Sequence, residues 1–178
     1  IPCAQNLSFL RPYRKKNFEV LPIKPFLVWL SEEYTNINFI SDYDMHSGFN
    51  LDKTNLFIIT GHSEFWSFEQ RLFFDDYISD KKNALILSGN TMWKQVRYTN
   101  DGKNIHSYWP HHIPNDGNPF GKVNAFATPS SEFPIEPSIG SDFWNGGYGD
   151  VNDNGWDGFK VIKENSILFN ETGLENGD

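Results

Sequence analysis

The chain has 178 residues, which suits a single domain, and its 38% hydrophobic content includes 16 Phe, 7 Tyr and 6 Trp. A formal net charge of −8 argues against nucleic acid as a partner, because phosphate backbones bind basic surfaces. The single cysteine, Cys3, excludes an internal disulfide framework, and no apolar run approaches the roughly 20 residues of a membrane-spanning helix. The cellular compartment is left open by the sequence.

The first half of the chain predicts strands that alternate with helices. In chain order we expect a helix over 26–34 opened by Pro22 and Pro25, a strand over 37–40, a strand over 56–60, a helix over 67–79, a strand over 84–88 and a short helix over 91–98. Ser67 and Gln70 have the spacing of a capping box, which marks the start of the second helix. Such alternation is typical of βαβ units, so the predicted fold class is α/β, with a parallel sheet flanked by helices.

Residues 99–178 differ in composition, because prolines, glycines and asparagines dominate and helical periodicity disappears. Short strand-like runs are predicted at 122–127, 158–162 and 166–169. We therefore expect an α/β core over residues 1–98 and an irregular, partly β elaboration of the same domain over residues 99–178. The sequence begins without an initiator Met and ends soon after an apparent strand. We expect it to be a piece of a longer polypeptide, with other parts of that chain or a second copy as partners.

Two of the predicted strands end in glycine followed at once by polar side chains. The first runs into Gly61-His62-Ser63-Glu64, and the second runs into Gly89-Asn90-Thr91. Parallel strands end at one edge of their sheet, where open α/β sheets place ligands and catalytic groups. The polar run Asp42–His46, after the strand at 37–40, is expected at the same edge. The sequence therefore predicts a functional site there.

His62 and Glu64 have two interpretations. An imidazole can transfer protons near neutral pH, and a neighbouring carboxylate can bind a metal or act as a general base. Alternatively, Glu64 caps the next helix and His62 bonds to the backbone. The cysteine motif that zinc deaminases combine with His-x-Glu is absent, which excludes that chemistry. The glycine motifs of dinucleotide-binding proteins, P-loop proteins and serine hydrolases are also absent.

Three further polar segments have both a ligand-binding and a structural interpretation. Asp42–His46 has donors for a divalent cation but also the composition of a solvated turn. The adjacent His111 and His112 favour a packed loop, because neighbours in regular structure point in different directions. Gly149–Gly155 resembles the first half of a calcium-binding EF-hand loop, although an Asx-rich turn is the favoured interpretation. The candidate calcium ligands are Asp150, Asn152, Asn154 and Asp157.

Six motifs, in order, resemble the large-subunit core of N,N-dimethylformamidase and its relatives. They are Ser8-Phe-Leu-Arg11-Pro12-Tyr13, Trp29-Leu30, Ser41-Asp42-Tyr-Asp44-Met-His46, Gly61-His62-Ser-Glu64-Phe-Trp66-Ser67, Ser88-Gly89-Asn90-Thr91-Met-Trp93-Lys-Gln-Val96-Arg97 and Thr172-Gly173-Leu174-Glu-Asn-Gly177-Asp178. The resemblance implies a flavodoxin-like α/β fold similar to class I glutamine amidotransferases. In this chain Gly89-Asn90-Thr91 is expected to take their elbow-like turn, without the cysteine.

The resemblance also implies an enzyme that hydrolyses the C–N bond of a small amide with a mononuclear iron held by two tyrosines and a glutamate. Matched by motif, the resemblance implies that Glu64 is the carboxylate ligand and Tyr13 is one tyrosinate. It implies that His62 is either the neighbouring acid–base group or a group that supports a metal ligand by hydrogen bonding. Asn90, with Asp42, is expected to orient ligand or water. The second tyrosine is expected upstream of the Arg-Pro-Tyr segment, which only 10 residues precede here. Either that ligand lies on another segment, or this member has lost the iron.

A non-catalytic module on the same fold is the alternative, because one fold hosts many functions. Trp109, Trp144 and Trp156 would stack on sugars, and the loop at 150–157 would hold calcium. Such a module would bind carbohydrate or a protein partner within a larger, exported protein. Convergence of Tyr13, His62 and Glu64 in one pocket would favour the enzyme.

Overall fold

The computed structural model describes residues 6–8, 20–99, 101–107, 134–141, 160–162 and 166–178. The chain divides into two compact units, Ile1–Gly146 and Gly147–Asp178. The elements are β1 (Asn6–Ser8), α1 (Val20–Glu33), α2 (Asp42–His46), β2 (Leu56–His62), β3 (Phe65–Trp66), α3 (Phe68–Ser79), β4 (Asn83–Gly89), β5 (Lys94–Tyr98), β6 (Asn104–Ser107), α4 (Glu136–Ile139) and a 3-10 helix (Ile167–Phe169). The described part of the chain is therefore mixed α/β.

The described residues of the first unit form two small sheets. β2 and β4 pair in parallel along their full length, from Leu56↔Asn83 to His62↔Gly89. The second sheet has the order β1-β6-β5-β3, in which β5 is antiparallel to β6 and parallel to β3. The parallel pairing of β2 with β4 across α3 confirms the predicted βαβ alternation, whereas the flavodoxin-like arrangement and the boundary at residue 98 stay predictions.

Aromatic packing holds α3 against the strands. The ring of Phe57 on β2 lies 6.0 Å from that of Phe74 and 5.7 Å from that of Tyr77, and Trp66 meets Phe74 edge to face at 5.8 Å. Large buried rings contribute much of the apolar area that stabilises a core. The buried cluster consists of Met45, Phe57, Ile59, Trp66, Phe74, Tyr77, Met92 and Ile135.

α3 begins at the predicted residue because Ser67 and Gln70 bond reciprocally. The Gln70 amide donates to Ser67 Oγ at 3.1 Å, and the Ser67 amide donates to Gln70 Oε1 at 2.8 Å. In the next turn the buried Arg71 donates from Nε to Asp75 and from Nη2 to the Pro134 carbonyl at 2.6 Å. Burial lowers the pKa of the Arg71 guanidinium, and the charge of Asp75 opposes that shift.

Several predicted elements are wrong, and each lies in a run of residues too short to show a clear periodicity of apolar side chains. Residues 37–40 are not a strand, and the polar run after them forms α2, because Ser41 and Asp44 make a second capping box. Residues 94–98 form β5 and not a helix, since pairing with β3 and β6 overrides the local pattern. The run at 166–169 contains a 3-10 helix, residues 160–162 are not in a strand, and residues 122–127 lie outside the described residues.

α1 begins at Val20, earlier than predicted, so Pro25 lies inside it. None of the helices in the described ranges is long and apolar enough to cross a membrane. In the second unit, the Val161 amide donates to the Asp178 carbonyl at 2.9 Å and the Gly177 amide donates to the Val161 carbonyl at 2.9 Å. These bonds join the two described segments of that unit.

Ser67→Ala removes the N-cap of α3 together with the hydrogen bond between Ser67 Oγ and His46. We expect the free energy of unfolding to fall by about 1–2 kcal/mol in a denaturant titration, the usual cost of losing such a cap. Ser79→Ala is the matched control, because its exposed hydroxyl bonds only the Asp76 carbonyl one turn earlier. The control should change stability by less than about 0.5 kcal/mol, and an equal loss in both variants would contradict the role of the cap.

Candidate functional site

The ends of β2 and β4 define the candidate site. The two strands are parallel and in register to their last residues, so His62 lies beside Gly89. The Ser63 amide donates to Ser88 Oγ at 3.0 Å, and this hydrogen bond joins the ends of β2 and β4. The structure therefore brings His62 and Asn90, predicted separately from two strands, to one end of the sheet.

The imidazole of His62 lies against the backbone of Gly89. A Cβ added to Gly89 would lie 2.9 Å from Cδ2 and 3.0 Å from Nε2 of His62, closer than side-chain carbons ordinarily approach. Glycine at position 89 is therefore required for this placement of the ring. The residue is exposed, so the imidazole is available to a ligand.

The turn after β4 has a strained backbone. Asn90 has φ +53° and Met92 has φ +57°, although neither is glycine. Asparagine tolerates the left-handed region, whereas methionine rarely adopts it. The Met92 amide donates to the Ser63 carbonyl at 3.0 Å and its side chain is completely buried, which holds the turn in place. Backbone strain of this kind is frequent at functional sites. The element that follows the turn is the strand β5, and not the helix predicted over 91–98.

Glu64 forms an ion pair with Lys94. Oε1 of Glu64 lies 2.9 Å from Nζ of Lys94, and the two side chains are only 18% and 17% exposed. The pair follows from the backbone, because the Lys94 amide donates to the Glu64 carbonyl at 2.9 Å and Phe65 pairs with Lys94. Since Ser67 caps α3, the interpretation of Glu64 as the helix cap is wrong.

Asp42 lies in a second cluster, formed by α2 and β5. Although the residue is partly open to solvent, burial raises the pKa of its carboxyl. Burial, and next the charge of Asp42, raises the pKa of the Tyr98 phenol. The argument that places Asp42–His46 at the same sheet edge as His62 needs a strand at 37–40, and residues 37–40, directly before α2, are not in a strand.

His46 connects this second cluster to α3. Its ring lies 4.6 Å from that of Tyr98 and 5.6 Å from that of Tyr43, as measured between centroids. Nδ1 of His46 lies 2.8 Å from Ser67 Oγ and 3.3 Å from Glu69 Oε2. These contacts give His46 a packing role at the start of α3.

The donors for a metal are incomplete within the described residues. In those ranges, no three His, Cys, Asp or Glu side chains lie close enough to hold one ion. The carboxylate of Glu64 is a hard oxygen donor, so its chemistry fits one position in the ligand set of a hard cation. The remaining sequence candidates lie outside the described residues: Tyr13, His111, His112, Asp150, Asn152, Asn154 and Asp157.

Lys94 is the residue that sequence reasoning missed. It follows the Gly-Asn-Thr motif closely, but nothing in the local pattern connects it with Glu64, 30 positions earlier. The connection requires the pairing of β5 with β3, and β3 has only two residues. Such a short strand carries too little pattern to be predicted.

A family model described as N,N-dimethylformamidase beta subunit-like, C-terminal, matches residues 2–178. The match includes all six motifs that carry the resemblance seen in the sequence. No curated protein and no solved structure matches the chain significantly.

Gly89→Ala places a methyl group where the His62 ring lies. Because the obstacle is the end of a flexible side chain, we expect the ring to move while the fold persists, which NMR would detect as shifted His62 ring signals. Gly140→Ala is the control, since Gly140 has φ +75° and open space around it. That variant should lose about 1 kcal/mol of stability through backbone strain, with the His62 signals unchanged. Unshifted His62 signals in Gly89→Ala would contradict the contact.

Proposed function

This chain belongs to the N,N-dimethylformamidase beta subunit-like family, and we propose that it takes part in hydrolysis of the C–N bond of a small amide. The observation that carries the proposal is the exposed ring of His62 packed against Gly89, directly before Asn90. A flavodoxin-like, amidotransferase-like sheet is part of the same proposal. No feature of the described ranges favours the carbohydrate-binding alternative, whose three tryptophans lie outside them.

His62 is proposed as the acid–base group. Hydrolysis of an amide adds water to the carbonyl carbon, breaks the C–N bond and leaves an amine and a carboxylic acid. One proton must leave the attacking water and one must reach the departing nitrogen. A single imidazole can perform both transfers in succession, which contributes typically 10²–10⁴-fold to the rate.

Asn90 and Asp42 are proposed to orient the ligand or the water. The side-chain amide of Asn90 offers both donors and an acceptor. Its backbone is left-handed, and the turn that contains it is joined to Ser63 by the hydrogen bond from the Met92 amide. Asp42 lies near Tyr98 of β5, and its charge contributes to the raised pKa of that phenol. Its carboxyl is a candidate acceptor for water at α2.

Glu64 and Tyr13 are proposed to hold a mononuclear iron, with further donors from outside the described residues. A bound trivalent ion would polarise the amide carbonyl and lower the pKa of a water molecule bound to it. The support for Glu64 is its shielded carboxylate, two residues after His62. Calcium binding by Asp150, Asn152, Asn154 and Asp157 is a separate proposal, as is contact with a second copy or with other parts of a longer chain.

His62→Asn should lower kcat/KM for a small amide by about 10²–10⁴-fold, because proton transfer is lost. The measurement is release of dimethylamine from N,N-dimethylformamide by the iron-loaded chain, extended to a panel of formamides and acetamides. His106→Asn, on β6, is the matched control and should retain activity. Full activity of His62→Asn, or no hydrolysis of any amide by the wild-type chain, would overturn the proposal.

Glu64→Gln should abolish stoichiometric iron retention, because the neutral amide is a much weaker ligand for a hard cation than a carboxylate. Iron per chain is measured by elemental analysis after dialysis, and circular dichroism verifies that the fold persists. Glu33→Gln, at the exposed end of α1, is the control for loss of one surface carboxylate. Unchanged iron content in Glu64→Gln would remove Glu64 from the ligand set.

A further inference from the structure

We propose that Lys94 is an internal cation that occupies the Glu64 carboxylate and competes with the metal for it. The inference rests on the proposed function, because it concerns the metal ligand assigned there. It starts from the 2.9 Å contact between Nζ of Lys94 and Oε1 of Glu64. Both side chains are more than four-fifths shielded from solvent, so the attraction is screened less than at a surface pair.

Two aromatic rings favour the position of the ammonium group beside Glu64. Nζ lies 4.7 Å from the ring centroid of Trp93 and 5.4 Å from that of Phe65, which are the chain neighbours of Lys94 and of Glu64. Aromatic faces attract a cation, and most strongly where water is excluded. The pairing of Phe65 with Lys94 fixes the backbones from which all four side chains extend. The ion pair is therefore a consequence of the β3–β5 register.

A metal bound to Glu64 would lie within a few ångströms of the Lys94 ammonium. The repulsion between two cations grows as their separation and the local dielectric constant fall, and it scales with the charge of the metal. Lys94 therefore lowers the affinity of the site for an ion of charge two or three below the affinity that the carboxylate alone would give. Binding requires the ammonium to leave, which the flexible four-carbon stem of lysine allows.

Lys94 thus has two consequences for the site. Without metal, it neutralises a shielded carboxylate that would otherwise be costly to bury. With metal, it lowers the affinity and restricts stable occupancy to conditions in which further ligands offset the repulsion. Lys94 is a positioning residue in this scheme, since it acts on the metal through Glu64.

The test measures binding of Fe²⁺ alone to the 178-residue chain, by anaerobic equilibrium dialysis and elemental analysis. Lys94→Met keeps the apolar stem against the two rings but removes the charge, and Lys94→Gln provides a second neutral variant. We expect both to bind Fe²⁺ at least about tenfold more tightly than the wild type. Lys94→Arg should bind as weakly as the wild type, because it restores the charge. Circular dichroism verifies that each variant is folded.

The two proposals fail in distinguishable ways. Neutral variants that bind Fe²⁺ no more tightly than the wild type would overturn competition by Lys94. If Glu64→Gln abolishes binding in that same experiment, the metal assignment stands without Lys94. Wild-type affinity in Glu64→Gln would instead overturn the metal assignment, and the competition with it. The result that supports both proposals has two parts. Lys94→Met binds Fe²⁺ more tightly than the wild type, and this binding is lost when Glu64→Gln is added to it.

Discussion

The in-register parallel pairing of β2 with β4 is the constraint on which the candidate site depends. In a strand, a shift of one residue moves every side chain to the opposite face. Such a shift in β2 would take Phe57 away from Phe74 and Tyr77, and it would also move His62 off Gly89. Burial of aromatic rings in the core therefore fixes the position of the imidazole at the strand end.

His62, the last residue of β2, and Glu64, which follows the strand, have different environments. His62 is exposed and lies on the strand end of β4, whereas Glu64, two residues later, is shielded and neutralised by Lys94. The change occurs because β3 begins at Phe65 and joins the second sheet through β5. The segment between β2 and β3 thus connects the two sheets. As a result, His62 is exposed to solvent while Glu64, in the same short motif, is shielded from it.

The elements with strong local signals could be predicted from the sequence, and those that depend on distant pairing could not. The reciprocal bonds of Ser67 and Gln70 are readable from their spacing, and they set the start of α3. Ser41 and Asp44 form the same motif, but α2 has only five residues and too little periodicity to stand out from a loop. The local pattern around β5 predicts a helix, because the pairing that makes it a strand involves a two-residue strand and a later hairpin strand. The pairing of Lys94 with Glu64 was hidden for the same reason.

The residue at position 90 must meet two separate requirements, one of its backbone and one of its side chain. The backbone there is left-handed, which glycine and asparagine accept readily and most other residues do not. The proposed chemistry, in contrast, needs a side-chain amide at the end of β4. Asparagine is among the few residues that meet both demands, while glycine meets only the first. Variation at this position in related chains would therefore separate members that keep only the turn from members that keep the chemistry as well.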